Sequence, residues 1–321
     1  MEPATISAAA PVVSVERSGV TAQALPKTQA TQRWIVALSA LVGFLALVAT
    51  TLGIFTGIGQ KHHTFLTLRG EHVLIQGGGL YGFESVSGAA QAIGQDAVTL
   101  LVGIPLLISA TILASRGSLR GRVLRAGVLW YFTYTYLLMA FGAAYNPVFL
   151  VYVTLFSASL FAFVLSLLAI DVQRLPAQFS PRFARRAVAG VMIGIGVMLA
   201  LLWLGRIVPA LVAGSTPPGL ESYSTLFVQA GDLSLVVPLA ILTGALLLRR
   251  QPVSYLLAGV ILIKGATLGL ALMAMIATMA LAGVQIVLLE VVFFGLVTAI
   301  CLIGTIHLFT CMSGERAPTT A

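Results

Sequence analysis

The chain has 321 residues, of which 59% are hydrophobic and 9% are charged, and its formal net charge is +8. An average soluble domain carries roughly 25% charged residues, so this composition excludes a soluble globular protein, whose surface needs more polar side chains. The 18 basic residues fall in short clusters between apolar runs and not along one polar face, so the positive charge does not indicate a nucleic-acid partner.

The first predicted element is a tail, and long apolar segments follow it. Residues 1–32 are rich in Ala, Pro, Ser and Thr and lack helical periodicity, which predicts a disordered cytoplasmic tail. About 20 helical residues cross the bilayer core of about 30 Å, so the apolar runs predict an all-α polytopic membrane protein whose first partner is the lipid bilayer. Its eight predicted transmembrane helices are 34–57, 94–115, 123–144, 147–170, 186–212, 224–248, 253–280 and 284–309.

The positions of Lys and Arg predict how these helices are oriented. Positive residues favour the cytoplasmic side of a membrane. With the N-terminus inside, the cytoplasmic segments contain 14 of the 18 basic residues: Arg17, Lys27, Arg33, Arg116, Arg120, Arg122, Arg125, Arg174, Arg182, Arg185, Arg186, Arg249, Arg250 and Arg316. We therefore predict that both termini are cytoplasmic, and we expect the bacterial inner (plasma) membrane as the location.

The second and sixth predicted helices share a sequence pattern. GQDAVTLLVGIPLLISATILASRG and AGDLSLVVPLAILTGALLLRRQ each contain Asp, then Pro, then Arg. Pro105 precedes Arg116 by eleven residues, and Pro238 precedes Arg249 by eleven. Each proline should kink its helix. Both groups of four helices also have a long outer loop, a short basic loop and a tight outer turn, in that order.

This shared layout predicts two parallel four-helix repeats related by an axis along the membrane normal. A chance likeness between two apolar helices is the alternative. The predicted division is a first repeat at 33–172 with an outer loop at 58–93, a cytoplasmic linker at 173–185, a second repeat at 186–309 and a cytoplasmic tail at 310–321.

Lys264 and Glu290 are charged residues that fall well inside predicted helices. A charge at a helix centre in the membrane costs about 2.5–3.5 kcal/mol, so each is a candidate functional residue. Lys264 lies in VILIKGATLG of the seventh helix, and Glu290 lies in IVLLEVVFFG of the eighth. A tight turn joins these helices, and we expect the two residues to lie at similar depths and to pair. Such a pair is either a structural contact or part of a solute or ion site.

Two aspartates lie near the outer ends of the second and sixth predicted helices. For Asp96 we favour a capping role, because a carboxylate in the first turn accepts hydrogen bonds from free backbone N–H groups. Apolar sequence precedes Asp232, so we expect its helix to begin earlier and its carboxylate to lie below the membrane surface. We predict a substrate or ion site formed by Asp232, Lys264 and Glu290, with Asp96 at its outer mouth.

The predicted outer loop contains three of the four histidines: His62, His63 and His72. Within it, TFLTLRGEHVLIQ alternates and predicts a small hairpin with Arg69 and Gly70 at its turn. The histidine spacing does not define a metal site, and the one histidine in a predicted helix, His307, has no partner for axial haem ligation. No nucleophile elbow, HExxH or Walker motif occurs. We expect no metal and no cofactor.

Four stretches carry a resemblance: GGGLYGFES, GQDAVTLLVGIPLL, SRGSLRGRVL and YNPVFLVYV. The region that contains them, residues 77–153, loosely resembles a family of uncharacterised bacterial multi-pass membrane proteins. The resemblance implies a multi-span membrane fold. It implies no activity.

Three functions fit these features. The repeat, the kinked helices and the intramembrane charges favour a carrier-like protein that binds a small solute or ion between the repeats. The small number of polar residues leaves two alternatives. One is a non-catalytic scaffold, sensor or accessory subunit that binds a membrane protein or a second copy of itself, where neutralising the charges changes stability only. The other is an enzyme acting on lipid or quinone at the outer face, with Asp96, His62, His63 and His72 as its polar groups. A non-enzymatic role is the preferred expectation.

Overall fold

A computed structural model describes residues 29–56 and 61–313. Eight long helices make up most of this part of the chain, so the predicted all-α class agrees with the structure. Of the tails predicted at 1–32 and 310–321, residues 1–28 and 314–321 lie outside the described residues, whereas 29–32 and 310–311 are helical and not part of a tail. The helices are α1 Gln29–Phe55, α2 Val86–Ser115, α3 Leu119–Gly142, α4 Phe149–Leu168, α5 Arg185–Ala213, α6 Phe227–Leu248, α7 Pro252–Leu281 and α8 Leu288–Cys311.

The loop between α1 and α2 contains the small hairpin that the sequence predicts. Strand β1, His63–Leu66, pairs antiparallel with β2, His72–Ile75. The turn between them includes Gly70, whose φ of +82° is a left-handed conformation that glycine adopts easily because it has no Cβ. Arg69, beside it, donates a hydrogen bond of 3.3 Å to the carbonyl of Ser224, so the hairpin is tied to the loop that precedes α6.

The bundle has two ends with different chemistry. The hairpin and the loops at 143–148, 214–226 and 282–287 form one end, which we call the hairpin end. The loops at 116–118, 169–184 and 249–251 form the other, the arginine-rich end. The first and last described residues also lie there, since Arg125 contacts Gln32 of α1 and Arg120 donates to the carbonyl of Met312.

Seven of the eight described helices, all except α3, are long and apolar enough to cross a membrane. In each of them, at most 44% of the most apolar 18-residue window is buried inside the protein. Side chains such as Leu296 and Ile303 point outward, 60% and 67% exposed. So much exposed apolar surface is favourable only against lipid, so the chain is an integral multi-pass membrane protein.

Helix α3 is less apolar because it lies at the centre of the bundle. It carries three arginines near its start and several Tyr and Thr residues further on. Every residue from Arg125 to Tyr136 is buried. Because protein surrounds this stretch on all sides, its hydroxyl groups can find partners on other helices and do not face hydrocarbon. Seven of the predicted crossings are thus consistent with helix length and composition, and the eighth, through α3, stays a prediction.

The helices form two neighbouring groups of four. In the first group α1 and α3 each pack against both α2 and α4. In the second group α6 packs against α5 and α7, and α7 packs against α8. The groups meet where α7 crosses α2 and α3, and where α3 contacts the first turn of α6. This junction positions the candidate site.

Glycines bring the two groups close together at this junction. A Cβ placed on Gly94 of α2 would lie 2.7 Å from backbone atoms of Met275 on α7. A Cβ placed on Gly127 of α3 would lie 2.6 Å from the side chain of Ile263 on α7. Both distances are shorter than van der Waals contact, so a larger residue at either position would push the helices apart.

Helices α2 and α6 share a local irregularity. A five-residue π-helical segment, Thr99–Gly103 in α2 and Asp232–Val236 in α6, precedes a twelve-residue α-helical segment whose second residue is proline. Proline has no N–H, so the carbonyl four residues earlier loses its usual partner and the helix widens locally. Left-handed residues, Gly117 and Arg250, follow both helices. The predicted kinks thus take the form of π segments at matching positions in the two helices.

The start of α2 corrects two predictions. The helix begins at Val86 and not at 94, because the Ser85 hydroxyl accepts a hydrogen bond of 2.9 Å from the N–H of Gly88 and caps the helix. Residues 86–93, predicted as loop, are helical. Asp96 lies about three turns inside α2, so the capping role predicted for it is wrong. In contrast, α6 begins before Asp232, as predicted.

We predict that Gly94→Ala destabilises the protein and that Gly190→Ala does not. The new methyl group at position 94 meets the backbone of Met275, whereas at Gly190 of α5 it meets nothing within 4 Å. Alanine otherwise favours a helix over glycine by about 1 kcal/mol. Thermal unfolding in detergent should therefore give a lower Tm for Gly94→Ala and an equal or higher Tm for Gly190→Ala. Equal changes in the two variants would contradict the close packing of α2 on α7.

Candidate functional site

A cavity of about 370 Å³ lies between the two groups of helices. Helices α2 and α3 line it from the first group, and α5, α6, α7 and α8 line it from the second. Loop residues that precede α2 and α6, among them Glu84 and Tyr223, border it at the hairpin end. Small-molecule pockets have volumes of about 300–1,000 Å³, so a small solute fits a space of this size.

Asp232 is a buried carboxylate of this cavity and begins the π segment of α6. The hydroxyl of Tyr134 on α3 donates a hydrogen bond to its Oδ1. The indole Nε1 of Trp203 on α5 donates to its Oδ2 at 2.9 Å. A carboxylate removed from water needs such donors, because burying an unpaired charge is costly. Helices from both groups thus meet at one side chain.

Lys264 lies behind the cavity wall, against the ring of the same tyrosine. Its Nζ is 4.0 Å from the centroid of the Tyr134 ring, a cation–π contact. The side chain is 2% exposed, and within the part of the chain that the structure describes its Nζ has no hydrogen-bond partner. Tyr134 therefore connects Lys264 on α7 with Asp232 on α6, through its ring on one side and its hydroxyl on the other.

Glu290 pairs with Arg206 of α5 and not with Lys264. The Arg206 guanidinium donates to the Glu290 carboxylate, and both side chains are about one-third exposed, 34% and 32%. The expected Lys264–Glu290 pair is therefore wrong, and the reason is depth. Glu290 lies in the first turn of α8, whereas Lys264 lies 17 residues before the end of α7, so the two are about 20 Å apart along the bundle.

Asp96 lies outside the cavity, in a polar cluster within the first group. It is buried in α2 against Gly53 of α1, where a Cβ would overlap its Oδ2. The hydroxyl of Tyr81 donates to Asp96 at 2.5 Å, and Tyr152 of α4 lies 3.5 Å from the Tyr81 hydroxyl. This cluster holds the loop before α2 onto the first group. Of the four predicted site residues, Asp232 and Glu290 line the cavity, Lys264 lies behind its wall, and Asp96 lies elsewhere.

A second polar network lines the α2–α3 side of the cavity. Thr99 begins the π segment of α2, as Asp232 begins that of α6. Its hydroxyl is 2.8 Å from the hydroxyl of Tyr131 on α3. Gln95 Nε2 donates to the same hydroxyl at 2.5 Å, and Gln95 and Thr135 line the cavity. The sequence contains a signal for this network, since four-residue spacing places Gln95 with Thr99, and Tyr131 with Thr135, on one helix face.

Two glutamates lie at the mouth of the cavity. Glu84 accepts hydrogen bonds of 2.6 Å from the backbone N–H of Ala144 and from the hydroxyl of Tyr223. Ser85 donates to Glu221 on the facing loop. Burial raises the pKa of Glu84 above its ordinary value of 4.5; its two hydrogen bonds oppose this rise, and the charge of nearby Glu221 adds to it. Burial also raises the pKa of Tyr223, and Glu84 adds to that effect.

The histidines of the outer loop do not join Asp96 in a site. His63 and His72 are exposed, at opposite ends of the hairpin, whereas Asp96 is buried beneath Tyr81. Over residues 29–56 and 61–313, no group of three or more His, Cys, Asp or Glu side chains is arranged to hold a metal ion. The polar groups that an outer-face enzyme would use are therefore separated.

The fold defines the class of this protein as integral, multi-pass and helical. Comparison with protein-family models, curated proteins and solved structures finds no match. A function for the chain must accordingly be inferred from its own cavity, which contains buried polar groups from both halves of the bundle.

We predict that Glu84→Gln makes the stability of the protein less dependent on pH. Because the folded-state pKa of Glu84 is raised, the folded state binds this proton more tightly than the unfolded state does. The corresponding stabilisation is complete below the unfolded pKa and is lost as the pH rises through the folded pKa. Between about pH 4 and about pH 7, the Tm of the parent should fall more than the Tm of Glu84→Gln.

The control for this experiment is Glu71→Gln, which removes an exposed carboxylate from the hairpin turn. The variant should keep the pH dependence of the parent. Parallel curves of Tm against pH for the parent and Glu84→Gln would show that Glu84 does not contribute to the pH dependence of stability.

Proposed function

We propose that this protein is a carrier that binds a small solute or ion in the cavity between its two groups of helices. The observation that supports this most strongly is the cluster at Asp232, where Tyr134, Trp203 and Lys264 converge from α3, α5 and α7. Both groups hold the same carboxylate, so a movement of one group against the other would change its partners. Binding at Asp232 would therefore favour one arrangement over the other.

The proposed topology has eight crossings, including α3, with both termini in the cytoplasm of a bacterial cell. Its support is the asymmetry of charge between the two ends. Arginines cluster at the end where Gln29 and Ser313 lie, and positive residues favour the cytoplasmic side. On this orientation the hairpin end faces outward, so the mouth bordered by Glu84 opens to the outside.

The proposed duplication is supported by the shared geometry of α2 and α6. Each π segment begins with a polar residue that contacts a tyrosine of α3, Thr99 with Tyr131 and Asp232 with Tyr134. Carriers built from repeats commonly bind their substrates at the interface between the repeats, near broken helices. The cavity occupies the corresponding place in this protein.

A scaffold or accessory subunit is the main alternative. It would bind its partner through the outer surface of the bundle and would have no need for a solute in the cavity. It accounts less well for Glu84, Arg206, Asp232 and Glu290, whose polar groups line the cavity.

We predict that a solute stabilises the parent protein and fails to stabilise Asp232→Asn. A ligand that binds only the folded state raises stability by about 2.7 kcal/mol at a concentration of 100 times its Kd. A thermal-shift screen of ions, sugars, amino acids, amines and organic acids on detergent-purified protein should identify at least one such solute. Its effect should be lost in Asp232→Asn, because the amide lacks the negative charge at the centre of the site.

The matched control is Asp171→Asn, which neutralises a carboxylate paired with Arg174 at the arginine-rich end, away from the cavity. This variant should respond to the solute as the parent does. If no solute shifts the parent, or if Asp232→Asn responds fully, the carrier proposal fails and the scaffold becomes the better account.

A further inference from the structure

The cavity has a charge opposite to that of the chain. The whole chain has a net charge of +8, with 18 basic and ten acidic residues. Among the described residues, four of the ten acidic residues line the cavity: Glu84, Glu221, Asp232 and Glu290. One basic residue, Arg206, lines it as well. This concentration of carboxylates marks the cavity as a place for positive charge.

Among the described residues, three of these carboxylates form no direct ion pair, although Lys264 behind Tyr134 attracts Asp232 electrostatically. Within the described ranges, the ion pairs are Arg174–Asp171 and Arg206–Glu290. Glu84, Glu221 and Asp232 instead accept hydrogen bonds from neutral groups, which orient a carboxylate but do not neutralise it. A cation that enters the cavity therefore gains electrostatic energy, whereas an anion is repelled.

The rest of the lining is apolar and aromatic. On α7, Leu268, Leu272, Met275, Ile276 and Met279 recur at helical spacing and form one face of the cavity. Methionine side chains adapt to ligands of different shapes. A hydrated inorganic ion gains nothing from such a surface, whereas the aliphatic or aromatic body of an organic molecule does.

Two aromatic side chains contact the buried carboxylate, and a third lines the cavity. Trp203 and Tyr134 both donate hydrogen bonds to Asp232, and Phe294 lines the same cavity. Aromatic faces attract ammonium groups, and alkylated ammonium ligands in particular bind in sites that combine such rings with a carboxylate. One such cation–π contact exists within the protein, because the Lys264 ammonium lies over the Tyr134 ring.

We propose that the solute of this cavity is an amphiphilic organic cation, with one ammonium group and an aliphatic or aromatic body. This inference rests on the proposed carrier function and specifies its substrate class. The ammonium group binds beside Asp232, and the body lies against the apolar face of α7. Glu84 and Glu221 raise the local concentration of cations at the mouth. The positive charge of Lys264, behind Tyr134, repels the ammonium group of the solute and so limits the affinity of the cavity for it.

The test compares three probes of one shape and different charge. Benzyltrimethylammonium is the cation, neopentylbenzene is its uncharged carbon analogue, and phenylmethanesulfonate is the anion. Equilibrium dialysis against the detergent-purified, full-length protein gives the Kd of each probe. The parent should bind the cation at least about tenfold more tightly than either other probe, since the cavity carboxylates and the aromatic faces attract a quaternary ammonium group.

Two variants locate the charge that is responsible. Asp232→Asn should weaken binding of the cation about tenfold or more and leave the affinity for neopentylbenzene unchanged, which also shows that the cavity remains intact. Lys264→Met should tighten binding of the cation several-fold, because it removes a like charge. Asp171→Asn, distant from the cavity, should change neither affinity.

The inference is overturned if the parent binds the anion or the neutral probe as tightly as the cation, or binds none of the three. It is also overturned if Asp232→Asn leaves the affinity for the cation unchanged. If the neutral or anionic probe binds and Leu272→Trp abolishes that binding, the cavity is a solute site but the proposed cationic substrate class is wrong. The carrier proposal itself fails only if the broader solute screen also finds no ligand that depends on the cavity.

Discussion

A carboxylate buried among apolar helices must be given hydrogen-bond donors, and at Asp232 this requirement organises the centre of the molecule. Tyr134 and Trp203 supply the donors from helices on two sides of the cavity. Tyr134 in turn lies on α3, and a helix with so many polar aromatic side chains is stable in a membrane only when other helices enclose it. Enclosing α3 places the apolar surfaces of its neighbours outward, against lipid. The polar centre and the apolar exterior therefore follow from one constraint.

The two groups of helices use a similar framework in different ways. On the proposed duplication, Thr99 and Asp232 occupy the same position at the start of a π segment. In the first group α1 packs against α4, and the interior is filled by side chains. In the second group, among the described residues, α5 and α8 are not closely packed, and Arg206 and Glu290 bridge the gap between them. The cavity lies where this second group is open.

The helices were largely predictable from the sequence, and the partners of the site residues were not. Apolar length predicts the helices, and the apolar run before Asp232 predicts its burial. The sequence does not reveal the cap at Ser85, which follows a glycine-rich loop, and so predicts Asp96 in the first turn of α2 instead of about three turns inside it. Tyr134 lies 98 residues from Asp232, and no local pattern specifies such a contact. The depth of Glu290 depends on where the last turn ends, which a periodic apolar sequence leaves open.

On the carrier proposal, the cavity between the groups is a solute site centred on Asp232. A cryo-electron microscopy structure of the protein with a stabilising solute would show where the solute binds. Density for the solute is expected between α3 and α6, with a polar group within hydrogen-bond distance of the Asp232 carboxylate. Solute density on another surface, with a lipid acyl chain or close-packed side chains filling the cavity, would rule out this site.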